Sequence, residues 1–139
     1  MNILFTSIAG NTRSFLNRLQ KYNETIHLKE IDDNTPEDEE SEPFFVFVPT
    51  YLEGGNGIDN GDQEIMTEAL REYIEFKENS KLCLGIIGSG NKNFNEQYCL
   101  TAKQYAEEFK VPLLDDFELR GTNEDVKRID ETLRNAWTK

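Results

Sequence analysis

The run PFFVFVP, Pro43 to Pro49, constrains the fold more than any other stretch of the chain. Successive side chains of a strand point to opposite faces, so an unbroken apolar run puts bulky groups on both. Such a strand must be covered on each side, as in a parallel sheet sandwiched between helices. Two further runs share the property: Ile3 to Phe5, and KLCLGIIG from Lys81 to Gly88. Each of the three leads through a polar or glycine-rich loop into an apolar stripe at helical spacing. After the first run the stripe is Phe15, Leu19 and Tyr22. After the second it is Ile65, Met66, Ala69, Leu70, Tyr73 and Ile74, on a helix predicted to begin at Asp62. After the third it is Tyr98, Ala102, Tyr105, Ala106 and Phe109.

Two weaker strands complete the pattern. Thr25 to Ile31 alternates, with Ile26 and Leu28 on one side and Thr25, His27 and Lys29 on the other, which suits an edge strand with one wet face. Val111 to Phe117 carries Asp115 and Asp116 and also reads as an edge. Thr122 and Asp125 approximate a capping box before a last helix, whose inner face is Val126, Ile129, Leu133 and Trp137. The alternation of strands and helices predicts an α/β fold, with one doubly wound, five-stranded parallel sheet over residues 1–139, in the strand order 2-1-3-4-5. Between strands 2 and 3 the helix is reduced to an acidic loop, Asp32 to Glu42 (DDNTPEDEESE), which lacks apolar periodicity and reads as solvated. At about 3.3 Å per residue that loop reaches roughly 36 Å, enough to return over the sheet.

Net charge is −12, from 27 acidic against 15 basic side chains, which disfavours polyanions and anionic membrane surfaces and favours basic partner proteins. Cys83 and Cys99 form no C-x-x-C, and Cys83 lies in an apolar run where a thiol acts as a small hydrophobe. Neither a secretory signal nor a membrane span is recognisable, so a cytoplasmic, reducing location is expected and the Asn23-Glu24-Thr25 sequon carries no meaning. His27, the only histidine, is expected to point outward.

In the order 2-1-3-4-5 the loops after strands 1, 3 and 4 meet at the carboxyl edge of the sheet. The first, within NILFTSIAGNTR (Asn2 to Arg13), offers Ser7, Gly10, Asn11 and Thr12 at a helix start. Hydroxyls and free N–H groups at the positive end of a helix hold phosphate, although the same residue types also serve as ordinary caps. It is neither G-x-G-x-x-G nor a Walker loop, because Gly10 stands alone and no lysine follows it. The second loop, Leu52 to Gly61, is rich in glycine beside Tyr51, and it fails the EF-hand pattern. The third, Ser89 to Phe94, is polar and holds an aromatic ring. A phosphate, a flat ring and polar ring edges would each find a partner here, and any chemistry would belong to a bound cofactor.

The chain resembles the flavodoxin-like NrdI proteins, flavin mononucleotide (FMN) proteins that accompany class Ib ribonucleotide reductase. The resemblance rests on Ser7 to Thr12, VPTY (Val48 to Tyr51) leading into the glycine loop, GSGNKNF (Gly88 to Phe94) and VPLLDDFELRGTNEDV (Val111 to Val126). It implies an accessory flavoprotein rather than a stand-alone metabolic enzyme. Reduced FMN would react with dioxygen and deliver superoxide to the dimanganese site of the reductase small subunit, after reduction by a separate electron donor. By position, Ser7, Gly10, Asn11 and Thr12 would hold the phosphate. Tyr51, Gly54 and Gly55 would line the ring near its N5, Ser89, Gly90, Asn91, Asn93 and Phe94 would hold its pyrimidine side, and Ala9, Thr50, Leu52 and Tyr98 are further cofactor-binding candidates.

The chain departs from the family pattern where Leu52 and Glu53 follow Tyr51 and where Asp59 and Asp62 lie near the glycines. A solvent-screened carboxylate about 4 Å from the ring disfavours added electrons by about 1 kcal/mol, or roughly 40 mV for one electron. An acidic rim would favour the alternative reading, a flavodoxin acting as a one-electron carrier. A cofactor-free interaction protein on the same fold is a third.

Overall fold

The computed structural model describes residues 1–7, 10–50, 52–53, 63–64, 67–90 and 99–137. Its centre is β3 (Phe44–Pro49), buried along its whole length. Phe45 and Phe47 point to one face of the sheet, into a cluster with Phe15, Leu16 and Leu19 of α1 (Asn11–Tyr22) and Val126, Ile129 and Leu133 of α4 (Asn123–Trp137). Phe44, Val46 and Val48 point to the other, against Leu70, Tyr73 and Ile74 of α2 (Glu68–Glu75) and Ala102 and Tyr105 of α3 (Leu100–Phe109). The unbroken apolar run therefore serves two cores, one on each side.

On one flank of β3 lies β1 (Asn2–Phe5), and beyond it β2 (His27–Glu30). On the other lies β6 (Cys83–Gly90), and beyond it β7 (Leu113–Glu118). All these pairings are parallel, and the order β2-β1-β3-β6-β7 is the predicted 2-1-3-4-5. A short 3-10 helix, Asn79–Leu82, precedes β6. His27 is exposed, as expected of the outer side of an edge strand. The Thr122–Asp125 box forms, Thr122 N–H donating to Asp125 Oδ2 at 2.8 Å and Asp125 N–H to Thr122 Oγ1 at 3.1 Å. Trp137 docks at 6.1 Å between ring centres on Phe45.

Four expectations need correction. The helix predicted from Asp62 begins instead at Glu68; Gln63–Glu64 (β5) pairs antiparallel with Leu52–Glu53 (β4), so ladder hydrogen bonds claim the backbone that the apolar stripe alone would assign to a helix. That hairpin also puts Leu52 and Glu53 in a strand rather than in the glycine loop. Ser89 and Gly90 do not open the third loop, because β7 extends β6 by pairing Phe117 with Ser89 and Glu118 with Gly90. Tyr22 is 51% exposed; it is the last residue of α1, and the next inward-facing side chain is the buried Asn23, which donates to Asp130 Oδ1 at 2.7 Å.

Residues 32–42 contain no helix, as expected, but they are fastened rather than merely solvated. Asn79 accepts from Glu40 N–H at 2.8 Å and donates to the Asp38 carbonyl at 2.9 Å. The Glu40 carboxylate accepts from Tyr73 Oη at 2.6 Å and from Lys29 Nζ at 2.9 Å.

Candidate functional site

β1 delivers the chain to the carboxyl edge, where Thr6 is buried and Ser7 half-buried. Gly10 then precedes α1 in the left-handed region, at φ +90°, and a Cβ built there would meet nothing within 4 Å among the described residues. The backbone conformation therefore selects glycine here. Ser14 N–H donates to the Gly10 carbonyl at 2.9 Å and Arg13 N–H to Ser7 Oγ at 3.2 Å. The N–H groups of Asn11 and Thr12 come too early to find a carbonyl inside the helix. Gly10, the residue before α1, has no side chain to cap it, and the first turn holds no acid, in contrast with the boxed start of α4. These donors, aligned with the helix dipole, fit a phosphate.

The three loops are joined at their roots. Thr12 Oγ1 lies 3.4 Å from Ser89 Oγ, and both residues are buried. The Ser89 carbonyl accepts from Thr50 N–H at 3.1 Å, and Thr50 Oγ1 accepts from Thr101 N–H at 3.2 Å at the start of α3. One chain of hydrogen bonds thus connects the start of α1, the ends of β3 and β6 and the start of α3. Thr101 Oγ1 is buried without a hydrogen-bond partner among the described residues. Tyr105 Oη donates to the Thr67 carbonyl at 2.8 Å, tying α3 to the approach of α2.

Of the sequence-predicted site residues, Ser7, Gly10, Asn11, Thr12, Thr50, Ser89 and Gly90 are brought to this edge, and Leu52 follows in β4. Ala9, Tyr51, Gly54, Gly55, Asn91, Asn93, Phe94 and Tyr98 lie outside the described residues. Sequence reasoning did not single out Arg120, whose Nε donates to Asn11 Oδ1 at 3.4 Å from the turn after β7. The signal available was a basic residue followed by glycine in the loop after the last strand. The other arginine here, Arg13, is committed to Glu30, with Nε–Oε1 at 3.0 Å and Nη2–Oε2 at 2.5 Å; hydrogen bonding to Glu30 raises its pKa further.

Among the described residues no group of three or more His, Cys, Asp or Glu side chains could hold a metal ion. Burial pushes the Cys83 thiol up to about 12, so it stays protonated as a core side chain. Hydroxyls and N–H donors predominate at the edge, and these bind and orient.

The NrdI flavodoxin-like family model matches residues 3–131. The chain belongs to the NrdI flavodoxin-like family. Members similar to it include an NrdI-like protein of Streptococcus pyogenes serotype M18, 52% identical over 141 residues, covering 96% of this chain and 91% of that protein. Protein NrdI of Bartonella tribocorum is 38% identical over 136 residues, covering 97% of this chain and 94% of the other. The NrdI fold seen here is shared with solved flavodoxins. A short-chain flavodoxin associated with a bacterial microcompartment superposes with a TM-score of 0.71 at 15% identity, covering 99% of this chain and 95% of its own. A Fusobacterium nucleatum flavodoxin variant bound to flavin mononucleotide gives 0.63 at 13% identity, covering 96% and 92%. Among the described residues of this NrdI-family chain no helix is long and apolar enough to cross a membrane.

Proposed function

We propose that this chain is an FMN flavoprotein that activates the dimanganese cofactor of a class Ib ribonucleotide reductase small subunit. The reading is carried by the family match across residues 3–131, which includes every loop of the carboxyl edge. The hydrogen-bonded roots of those loops support the placement of the cofactor there. When bound, FMN supplies the redox chemistry, passing electrons from a donor to dioxygen so that superoxide reaches the manganese site.

The protein's own work is binding and orientation. The α1 N–H groups of Asn11 and Thr12, the Ser7 and Thr12 hydroxyls and the turn at Gly10 would hold the phosphate dianion. By the family resemblance, Tyr51, Gly54 and Gly55 would line the ring near N5 and Ser89, Gly90, Asn91, Asn93 and Phe94 would take its pyrimidine side, with Ala9, Thr50, Leu52 and Tyr98 as further candidates. A net charge of −12 suits docking on a basic face of the reductase or of the electron donor.

Two measurements test this. The purified protein should be yellow, absorbing near ~450 nm as a bound flavin does; a colourless protein that takes up no FMN would point to the cofactor-free interaction reading. The FMN-loaded protein is then reduced and exposed to air with the dimanganese small subunit, and the tyrosyl radical is read by electron paramagnetic resonance. Radical formation is expected. A small subunit left without radical would leave the one-electron carrier as the better account.

A further inference from the structure

We propose that Arg120 is an additional phosphate-side residue of the flavin site, one that makes the site select the phosphorylated flavin over riboflavin; this rests on the FMN reading above. The turn after β7 is built to aim this side chain at the start of α1. Leu119 N–H donates to the Gly90 carbonyl at 2.9 Å, which ties the turn to the end of β6. Leu119 takes φ +56° and Gly121 φ +70°, so two of three successive residues sit in the left-handed region. Gly121 is also required sterically, since a Cβ there would lie 2.6 Å from Phe15 Cδ2. From α1 itself, Arg18 Nη2 donates to the carbonyl of Arg120 and, at 3.1 Å, to that of Gly121. Helix and turn are therefore clamped together, and the Arg120 guanidinium lies against Asn11, the first residue of α1, at 3.4 Å.

Charge bookkeeping points the same way, the Arg18 guanidinium being spent on the carbonyls of Arg120 and Gly121. Arg13 is held by Glu30, and Arg128, across the cleft of about 750 Å³ that Arg120 also lines, is held by Asp115 at 3.1 Å and Asp125 at 2.7 Å. Arg120 forms no ion pair with a carboxylate among the described residues, and its bond to Asn11 is long. In a chain of net charge −12, a dianion at the α1 N-terminus gains from an unneutralised cation beside it. A planar guanidinium is suited to bind phosphate oxygens in pairs. Riboflavin, which lacks the phosphate, draws no benefit from Arg120.

The test compares FMN and riboflavin dissociation constants for the wild-type chain, Arg120→Gln and Arg120→Lys, at low and high salt. Arg120 is exposed, so the variants should melt within about 2 °C of wild type. Arg120→Gln is expected to bind FMN about tenfold more weakly at low salt, with riboflavin within about twofold of wild type. Its FMN affinity should also depend less on salt, and Arg120→Lys should recover part of the loss. Unchanged FMN affinity, or equal losses for both flavins, overturns the proposal. If the wild-type chain binds neither flavin, it is the FMN reading that has failed. Inorganic phosphate then serves as probe, read by the amide resonances of Gly10 to Arg13. Saturable shifts that weaken about tenfold in Arg120→Gln still support an anion-holding Arg120, and shifts equal in both proteins, or none, overturn it.

Discussion

Thr12→Val separates what the root of the site does for the fold from what it does for the ligand. Thr12 is 2% exposed, and its hydroxyl lies 3.4 Å from that of Ser89, which is 4% exposed. Valine keeps the branched shape, so the substitution removes a hydroxyl with little change in packing. At 3.4 Å the lost bond is long and worth about 0.5 kcal/mol, while the stranded Ser89 hydroxyl adds about 1 kcal/mol of desolvation. The ligand-free protein should therefore melt about 4–5 °C lower. On the proposed reading the Thr12 hydroxyl would donate to the phosphate dianion, a charge-assisted bond worth about 1.5–2 kcal/mol, so the FMN dissociation constant should rise roughly 10–30-fold. Flavin fluorescence quenching measures that constant, and calorimetry of the ligand-free protein measures the other. Adding Ser89→Ala removes the stranded hydroxyl and should restore about 1 kcal/mol of stability without restoring FMN affinity. A Thr12→Val protein that melts early yet binds FMN normally would refute the phosphate assignment of Thr12, and an unchanged melting temperature would refute the energy assigned to its pairing with Ser89.

Gly121→Ala combines a left-handed backbone with a Cβ placed 2.6 Å from Phe15 Cδ2, a ring stacked at 3.9 Å on Phe117 in the core. A loss of about 2–4 kcal/mol is expected in thermal or urea unfolding, and a wild-type midpoint would show that the turn rearranges freely. At the basic end of the pH scale, burial opposes the charge on Lys29, but its bonds to Tyr73 and Glu40 outweigh this and raise its pKa above 10.5; burial, followed by the bond to Glu40, raises Tyr73 above 10.0. Raised folded-state values contribute stability below pH 10 that is lost as pH climbs through them, so unfolding titrations should show a fall above about pH 10 that Glu40→Gln diminishes. For Asp125, burial works against the charge, yet hydrogen bonds from Thr122 and Arg128 prevail and depress its pKa below 3.8. Its contribution is present above 3.8 and lost as pH falls through the folded value, so Asp125→Asn should flatten the acid limb of the same curve.

Much of this was legible from local pattern. Phe44 to Val48 required cover on both faces, and the alternating Thr25 to Ile31 required an edge; with the helical stripes between them, these imply a doubly wound sheet. Ser7, Gly10, Asn11 and Thr12 marked a turn at a helix start through residue chemistry alone, because a left-handed glycine and free N–H groups there depend on only a few successive residues. The start of α2 was misread for the complementary reason. Ile65 and Met66 extend a helical stripe, but the backbone of Gln63–Glu64 pairs with Leu52–Glu53, a pairing that apolar periodicity does not register.

The features that only the tertiary structure decided are all meetings of residues far apart in the chain. Thr12 reaches Ser89, Arg120 reaches Asn11, and Glu40 is caught between Lys29 and Tyr73. The sequence by itself determined which faces are apolar and where the backbone can turn, since propensity and periodicity are properties of neighbours. Which hydroxyl pairs with which, and which arginine keeps an unneutralised charge beside α1, depends on the register of β7 against β6 and the packing of α1 against the turn that follows. Those are set by the burial of whole faces at once, a quantity that no short stretch of this chain contains.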